Sequence, residues 1–232
     1  MSEKQKVVIC TPTPQKPYDA FLKACADEKP LLDAANIECA VSYSIGSPYI
    51  SWARADALRK ALDAEPDAVV FIDHDMSWEP GELVRLIQTP GPVVAGTYRF
   101  KKPEEHYMGN IILGSDRKPI YRDDGCLLGN WVPAGFLKVT GQAIHDFCGA
   151  YPELMFGARY RPYIDLFNHG AHDFVWYGED YAFSRRWNEK CGQIWIVPDL
   201  NLHHNGADGT VYEGNYARFL AKHETPSWKD AA

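Results

Sequence analysis

The stretch Ala68-Val69-Val70-Phe71-Ile72-Asp73-His74-Asp75 determines how the rest of the chain is interpreted. Its first five residues are apolar and rich in β-branched side chains, and polar residues follow at once, which predicts a short strand buried on both faces. Residues two apart on an extended chain point to the same side, so Asp73 and Asp75 are expected to lie close together. Two carboxylates that close repel each other unless a positive charge lies between them. A hard divalent cation, which prefers oxygen ligands and also binds phosphates, would supply this positive charge.

Strands and helices are predicted to alternate over roughly the first 100 residues. In chain order, the predicted elements are a strand at 7–10, a helix at 18–32, a strand at 37–43, a helix at 50–62, a strand at 69–72, a helix that starts after Ser77 and a strand at 92–95. Ser77 is predicted to be the N-cap of its helix, with Glu79 and Glu82 near the positive helix end. This alternation is typical of a parallel α/β sheet.

The second half of the chain has a different character. Aromatic, Gly and Pro residues crowd the segment 151–177, which predicts a long loop, and loops of that length are usually functional or mobile. The elements predicted after it are a helix at 179–191, strands at 194–197 and 200–202, and a loop-like C-terminal tail at 207–232. Because neither repeats nor a clear linker interrupt the sequence, we predict one domain, 1–232, in two halves.

Composition and charge exclude several classes of protein. The 232 residues are 46% hydrophobic and 24% charged, and the net charge of -7 comes without a long basic run. Binding to a nucleic-acid backbone is therefore not expected, because phosphate contacts need clustered Lys and Arg. The apolar run at 7–10 is too short for a signal peptide, and no stretch approaches the ~18 apolar residues of a membrane span. Six cysteines without a Cys-x-x-Cys pair predict reduced thiols, no zinc site and a cytoplasmic location.

Two other interpretations of Asp73-His74-Asp75 stay open. The acids could be solvated in a loop, although ligands of open α/β sheets bind beyond the carboxyl ends of strands, where this triplet lies. The triplet also resembles the signature of haloacid-dehalogenase phosphatases, Asp-x-Asp-x-Thr/Val after an apolar strand, which would make Asp73 a nucleophile. That signature normally follows the first strand of the sheet, whereas two strand–helix units precede it here and Ser77 stands in the Thr/Val position.

Glu179 and Asp180 open a predicted helix among aromatic residues. One interpretation is helix capping, because acids in a first turn interact favourably with the helix dipole and with unpaired amides. The other is catalysis, since a carboxylate at a helix start, close to the rings of Trp176, Tyr177 and Tyr181, is a good general base for the proton of an acceptor hydroxyl.

The pair His203-His204 follows a predicted strand. A solvated surface pair and a metal site completed by a neutral imidazole are both open interpretations. If Leu200 and Leu202 face the interior, strand alternation directs His204 inward and His203 outward. This favours His204 as the ligand.

Basic and hydroxyl residues supply further candidates. Arg54 is either solvated, paired with Asp56 or Asp63, or a partner for an anion at the site. The run Thr11-Pro12-Thr13 follows the first strand, where a loop can cup a nucleotide base or ribose. Lys101 and its neighbour Lys102 either bind phosphate or are solvated. No Walker A or G-x-G-x-x-G pattern is present, so P-loop and dinucleotide binding are not expected.

The order of these motifs resembles the GT-A class of glycosyltransferases, close to the family 2-like enzymes, over residues 6–206. The matching pieces are the βαβα half, Asp73-His74-Asp75, Gly135-Phe136 on a later strand candidate, Glu179-Asp180 and His204-Asn205-Gly206. The resemblance implies an α/β, Rossmann-like GT-A fold: a mostly parallel central sheet flanked by helices, with a smaller mixed second half. Residues 1–97 would be the nucleotide-binding half and 98–206 the acceptor-binding half. The segments 98–130 and 150–177 depart from the pattern of the class.

The resemblance also implies roles for individual residues. In such enzymes the second acid of the triplet, here Asp75, binds the cation, and the first, Asp73, contacts the ribose or the metal. The late histidine is a metal ligand, which matches His204 or, less well, His203. The base of inverting members matches Asp180, and Glu179 would orient the acceptor or that base. The resulting donor-site set is Thr11, Pro12, Thr13, Arg54, Asp73 and Asp75, and the acceptor-site set is Trp176, Tyr177 and Gly135.

Together these features predict a glycosyltransferase that requires Mn²⁺ or Mg²⁺. It would move a sugar from a UDP- or GDP-sugar to a hydroxyl of a glycan, lipid or protein acceptor. Inversion is favoured over retention because a base is present. The alternatives are the phosphatase with Asp73 as nucleophile and a non-catalytic module that binds a sugar or nucleotide.

Overall fold

The strand that the sequence predicts just before Asp73 is present in the structure, and it is buried along its whole length. In the computed structural model, which describes residues 3–222, this strand runs from Ala68 to Ile72 and none of its five side chains is exposed. Alternate residues of the strand pack into two separate halves of the hydrophobic core. Since successive side chains of a strand point to opposite faces, an uninterrupted apolar run is what a strand covered on both sides requires.

The described residues alternate between strands and helices as the sequence predicts. The elements of the first half are β1 (Gln5–Thr13), α1 (Asp19–Ala34), β2 (Ile37–Ile45), α2 (Ile50–Ala61), β3 (Ala68–Ile72), β4 (Met76–Trp78), α3 (Glu82–Gln88) and β5 (Val93–Gly96). Those of the second half are β6 (Asn110–Ile111), β7 (Leu127–Trp131), β8 (Phe136–Thr140), α4 (Gly141–Ala150), β9 (Met155–Ala158), β10 (Arg161–Ile164), β11 (Gly170–His172), β12 (Val175–Tyr177), α5 (Glu179–Lys190), β13 (Ile194–Val197), β14 (Leu202–Asn205), β15 (Val211–Gly214) and α6 (Tyr216–Lys222). Within 3–222, no helix combines the length and the apolar character needed to cross a bilayer.

The predicted α/β fold class is confirmed. The central sheet has eight strands in the order β2-β1-β3-β8-β5-β13-β7-β6. The strands β2, β1 and β3 of the first half are parallel, as predicted, and β5 is also parallel to β13. However, β8 runs antiparallel between β3 and β5, and β7 and β6 are antiparallel to their neighbours, so the sheet is mixed rather than mostly parallel. An apolar run predicts a strand but not its direction, which depends on where the chain re-enters the sheet.

The helix predicted to start after Ser77 begins later. Residues Met76–Trp78 form β4 and α3 starts at Glu82, so the prediction of Ser77 as an N-cap is wrong. The reason is a distant partner: β4 pairs with β14, and Ser77 Oγ accepts a hydrogen bond from Asn205 Nδ2 at 3.1 Å. Pairing with a strand far away in sequence has outweighed a local capping preference.

Two segments predicted as loops contain regular structure. The segment 151–177 holds two antiparallel hairpins, β9 with β10 and β11 with β12. The tail predicted at 207–232 contains β15, which pairs with β14, and α6. Residues 223–232 of that tail lie outside the described residues. Short strands in an aromatic and Gly-rich context give weak local signals, because their stability comes from pairing.

The carboxylate of Glu28 on α1 anchors the segment that follows the acidic triplet. Glu28 is completely buried and accepts hydrogen bonds from the backbone N–H groups of Gly81 and Val84, both at 2.9 Å, and from Trp78 Nε1 at 3.2 Å. Because α3 has no side-chain N-cap of its own, Glu28 satisfies from another helix the amides that a local cap normally satisfies.

We expect Glu28→Ala to lower the free energy of unfolding by about 2–4 kcal/mol, because three buried donors lose their acceptor. Urea unfolding measures the change. Glu38→Ala removes an exposed carboxylate from β2 and serves as the control, with an expected loss below about 0.5 kcal/mol. Equal losses in the two variants would contradict the anchoring role of Glu28.

Candidate functional site

Residues predicted for the site converge on one cavity at the carboxyl end of β3. This cavity, called the site cavity below, has a volume of about 200 Å³. Its lining consists of Pro12, Ile50, Arg54, Asp73, His74, Asp75, Tyr98, Met108, Glu179 and His204. Six of these ten residues were predicted from the sequence, and they come from five separate parts of the chain. The parallel strands β1 and β3 end at this edge, which is where open α/β sheets bind ligands.

A larger cavity of about 570 Å³ lies elsewhere, between α3 and the turn before β7. Two ion pairs stand at its walls, Arg85 with Asp199 and Arg122 with Asp124. These charges already neutralise each other, and no predicted site residue lines this space. The predicted site residues line the smaller site cavity instead.

Arg54 is a buried positive charge held between two acids. Its side chain is 2% exposed, and Nη2 lies 2.9 Å from Asp73 Oδ1 and 3.3 Å from Glu179 Oε1. Burial works against the charge, but attraction by Asp73 and Glu179 outweighs it and keeps the pKa of Arg54 above its ordinary value. Arg54 thus ties α2 to the end of β3 and to the start of α5. Of the alternatives predicted for it, the partner at the site is the one that forms.

Asp75 belongs to a second charged group. His204 Nε2 lies 3.6 Å from Asp75 Oδ2, and His204 Nδ1 lies 2.9 Å from the backbone oxygen of Arg99. Because a carbonyl oxygen only accepts, Nδ1 donates a proton to the backbone oxygen of Arg99, which leaves Nε2 facing Asp75. The ammonium of Lys101 donates a hydrogen bond to that same carboxylate oxygen. Burial alone would raise the pKa of Asp75, but the contacts with His204 and Lys101 hold it well below its usual range.

The pairing of β4 with β14 brings His204 to Asp75 across 129 positions of sequence. The backbone N–H and the side-chain Nδ2 of Asn205 both donate to the backbone oxygen of Asp75, each at 2.8 Å. His203 lies on the opposite face of β14, and its Nε2 is 3.6 Å from Glu79 Oε1. His204, and not His203, therefore lines the site cavity.

Asp180 lies next to the site cavity, in the first turn of α5, but does not line it. Its Oδ1 accepts a hydrogen bond from the backbone N–H of Tyr181 at 2.8 Å. Burial and then repulsion by Glu179 raise the pKa of Asp180 to about 7, against a weaker opposing attraction by Arg54. A carboxyl group with a pKa near neutrality is suited to general-base chemistry.

Tyr98 is a site residue that the sequence analysis missed. It is 2% exposed, lines the site cavity and packs edge-on against the ring of His204, with the centroids 5.1 Å apart. A Cβ on Gly135 would lie 2.1 Å from Tyr98 Oη and 2.7 Å from Asp73 Oδ2, so only glycine fits there. Burial raises the pKa of Tyr98 well above its ordinary value. It lies two residues after the end of β5, at the same edge of the sheet as the acids, but a single aromatic residue there has the sequence pattern of a core residue.

The other predicted residues do not line the site cavity. Thr11 and Thr13 are buried on the face of β1 opposite to Pro12, and neither Oγ1 has a hydrogen-bond partner. Trp176 and Tyr177 lie on β12 immediately before α5, and the Trp176 side chain is exposed.

The donor atoms present fit a cation whose coordination a ligand completes. Within the described chain, no three His, Cys, Asp or Glu side chains are arranged to hold a metal ion, because Asp73 turns to Arg54. Asp75 Oδ2 and His204 Nε2 at 3.6 Å can nevertheless share one ion, since ligand bonds are about 2.0–2.2 Å long. The hydrogen bond from His204 Nδ1 to a backbone oxygen is the usual second contact of a metal-binding histidine. Magnesium sites commonly use one or two protein groups together with substrate phosphates and waters.

Asp73 Oδ1 and Arg54 Nε are polar atoms of the site that make no hydrogen bond. Both atoms are buried and make no hydrogen bond, although Oδ1 is close to Arg54 Nη2. The contact is therefore an ion pair without the alignment of a hydrogen bond. Because buried polar atoms are nearly always hydrogen-bonded, these two atoms are exceptions within the polar centre of the site.

Comparison with known proteins gives similarity in fold only. No family model matches the chain, and no curated protein matches it. The crystal structure of A197 from STIV is 15% identical with a TM-score of 0.50, covering 91% of this chain and 94% of that one.

The catalytic domain of Drosophila beta1,4-galactosyltransferase 7 in complex with xylobiose is 12% identical with a TM-score of 0.47, covering 90% of this chain and 70% of that one. A mutant of that enzyme in complex with manganese, UDP-Gal and xylobiose has 12% identity and a TM-score of 0.45, covering 97% and 76%. The 4-diphosphocytidyl-2C-methyl-D-erythritol synthase from Anaerococcus prevotii is 11% identical with a TM-score of 0.40, covering 90% and 92%.

The raised pKa of Asp180 predicts a stability effect with a definite sign. Between about pH 4 and pH 7 the folded chain binds one proton more than the unfolded chain, so the contribution of Asp180 to stability falls as pH rises through this window. Asp180→Asn keeps an oxygen for the N–H of Tyr181 and removes the buried charge. We therefore expect the variant to be more stable than the wild type at pH 8, by about 1–3 kcal/mol, with a smaller difference at pH 5.

Urea unfolding at both pH values measures this difference. Asp146→Asn, which changes an exposed carboxylate on α4, is the control and should show no gain that depends on pH. A gain for Asp180→Asn that is the same at pH 5 and pH 8 would show that the carboxyl group is not protonated in the folded chain.

Proposed function

We propose that this chain is a glycosyltransferase that takes its sugar from a nucleotide-diphosphate sugar, with Mn²⁺ or Mg²⁺ held by Asp75 and His204. The observation that carries the proposal is the approach of Asp75 Oδ2 to His204 Nε2, 3.6 Å apart, beside the ion-paired Asp73. These groups lie beyond the carboxyl end of β3, the edge at which open α/β sheets bind their ligands.

The charges of the site favour a diphosphate that binds together with a cation. The acids Asp73, Asp75 and Glu179 surround the site cavity, whereas the opposing charges are those of Arg54 and Lys101. An isolated diphosphate would be repelled by the excess of carboxylates. When bound, a divalent ion would supply the positive charge that stabilises the departing diphosphate.

Each of the predicted site residues then has a separate role. Arg54 holds Asp73 and Glu179 in place, and the carboxylate of Asp73, which is 24% exposed, offers an acceptor for a ribose hydroxyl. Asp180, ionised above about pH 7, takes the proton from the acceptor hydroxyl as that oxygen attacks the anomeric carbon. The exposed ring of Trp176 is placed before α5 to stack on the face of an acceptor sugar.

The alternatives predicted from the sequence gain less support. A haloacid-dehalogenase phosphatase needs Asp73 as a nucleophile, and the buried ion pair with Arg54 does not favour that role. A non-catalytic binding module would have no use for a carboxyl group whose pKa is raised to about 7 at the edge of the cavity, as that of Asp180 is.

Nucleotide release from a panel of UDP- and GDP-sugars, with and without Mn²⁺, tests the proposal. The adjacent histidines provide a matched pair. We expect His204→Ala to lower metal-dependent release at least about tenfold, because a ligand is lost, and His203→Ala to stay within about twofold of the wild type. Asp75→Asn should lower release at least as much as His204→Ala. In the wild type, release should rise as pH passes through about 7, and Asp180→Asn should abolish that rise.

The outcomes separate the three functions. Full metal-dependent transfer by Asp75→Asn would refute the assignment of the cation site. Hydrolysis of simple phosphate esters through a phosphorylated Asp73 would identify a phosphatase. Binding of nucleotide sugars without turnover, independent of metal, would identify a binding module.

A further inference from the structure

Lys101 contacts the carboxylate oxygen on which the proposed cation site depends. Its ammonium donates to Asp75 Oδ2, the atom that also lies nearest to His204 Nε2. We propose that Lys101 is a built-in competitor of the divalent cation: it holds Asp75 while no donor is bound and moves to the diphosphate when cation and donor bind. This inference rests on the proposed function above and gives Lys101 a role at the cation site beyond the phosphate contact considered from the sequence.

Competition follows from the sharing of one oxygen. The side chains of Lys101 and Asp75 are 33% and 14% exposed, so the contact is only partly open to solvent and weakly screened. A divalent ion bonded to Asp75 Oδ2 and His204 Nε2 would meet the ammonium at contact distance, and like charges that close repel. Asp75 Oδ2 therefore accepts either Lys101 or the divalent ion, but not both.

The segment that carries Lys101 is folded, so the lysine is positioned rather than free. Arg99 and Tyr107 form an antiparallel bridge, the N–H of Phe100 donates to the oxygen of His106 at 2.9 Å, and Met108 N–H donates to the oxygen of Tyr98 at 2.8 Å. These contacts fix the backbone on both sides of Lys101. Its long side chain still has four rotatable bonds, so the ammonium can move by several ångströms while its Cα stays in place.

The same segment also orients the second proposed ligand. The backbone oxygen of Arg99 accepts the hydrogen bond from His204 Nδ1, and Lys101 follows two residues later. The backbone of this segment thus orients the ring of His204, and the side chain of Lys101 in the same segment covers the carboxylate of Asp75. An ammonium released from Asp75 remains beside the site cavity, where the anionic diphosphate would bind.

Lys102 provides a matched control. It is the next residue and carries the same charge, but its Nζ lies over the Phe100 ring, 5.4 Å from the centroid, whereas the ion pair with Asp75 is made by Lys101. Lys101→Met and Lys102→Met therefore each remove one positive charge from the same segment. Only the first variant frees the carboxylate.

The test measures Mn²⁺ binding and UDP binding separately at fixed pH. Electron paramagnetic resonance of free Mn²⁺ gives the affinity for the metal alone, and calorimetry gives the affinity for UDP at saturating Mn²⁺. For Lys101→Met we expect Mn²⁺ to bind about fivefold or more tightly, because the competitor is gone, and UDP to bind at least about threefold more weakly, because a phosphate contact is lost. Lys102→Met should leave both affinities within about twofold of the wild type, and Lys101→Arg should restore wild-type behaviour.

Opposite changes in the two affinities distinguish competition from a structural role, since a disturbed segment would weaken both. Unchanged or weaker Mn²⁺ binding by Lys101→Met overturns the inference. If Asp75→Asn abolishes Mn²⁺ binding while Lys101→Met leaves it unchanged, only the role of Lys101 fails and the proposed function stands. If Asp75→Asn and Lys101→Met both bind Mn²⁺ like the wild type, the cation site itself is wrong, and the proposed function falls with it.

Discussion

The guanidinium of Arg54 is almost completely buried, and it can keep its charge there only because Asp73 and Glu179 lie against it. Removing one partner of such a buried group typically costs about 3–5 kcal/mol, since an uncompensated charge is left inside the protein. The three residues belong to α2, the end of β3 and the start of α5. Their pairing therefore sets the relative positions of the elements that surround the site cavity. Packing of apolar side chains alone would hold these elements together, but it would not specify where the two carboxylates stand.

A second long-range contact completes the arrangement. The backbone pairing of β4 with β14, with two donors of Asn205 on the carbonyl of Asp75, fixes His204 beside the acidic triplet. Glu28 anchors the other end of the same segment through the amides at the start of α3. The acidic triplet is thus held on one side by an ion pair and on the other by a strand ladder. Both restraints act on the backbone or on buried atoms, which suits a site whose ligands must be oriented before a substrate arrives.

The sequence predicted what depends on local pattern. The apolar run before Asp73 identified the buried central strand, and helical spacing identified α1, α2 and α5 within a few residues. Arg54, Asp73 and Glu179 were separate candidates in the sequence, and the resemblance to GT-A glycosyltransferases is what placed them in one site. Features that depend on distant partners were not predictable: the strand pairing that turned Ser77 away from a capping role, the antiparallel direction of β8, and the contact of Lys101 with Asp75. Tyr98 was missed because a single aromatic residue after a strand is indistinguishable from core.

The site cavity takes its lining from positions as far apart as Pro12 and His204. During synthesis the ribosome delivers the chain from the N-terminus, so α2 and β3 leave the exit tunnel long before α5 and β14 exist. During that interval Asp73 is already present as a partner for Arg54, but Glu179 is not. Asp75 does not yet have His204 beside it. The polar centre is therefore complete only after β14 has been synthesised and has paired with β4. Because contacts between residues distant in sequence form slowly, this pairing is the step after which Asp75 and His204 lie side by side.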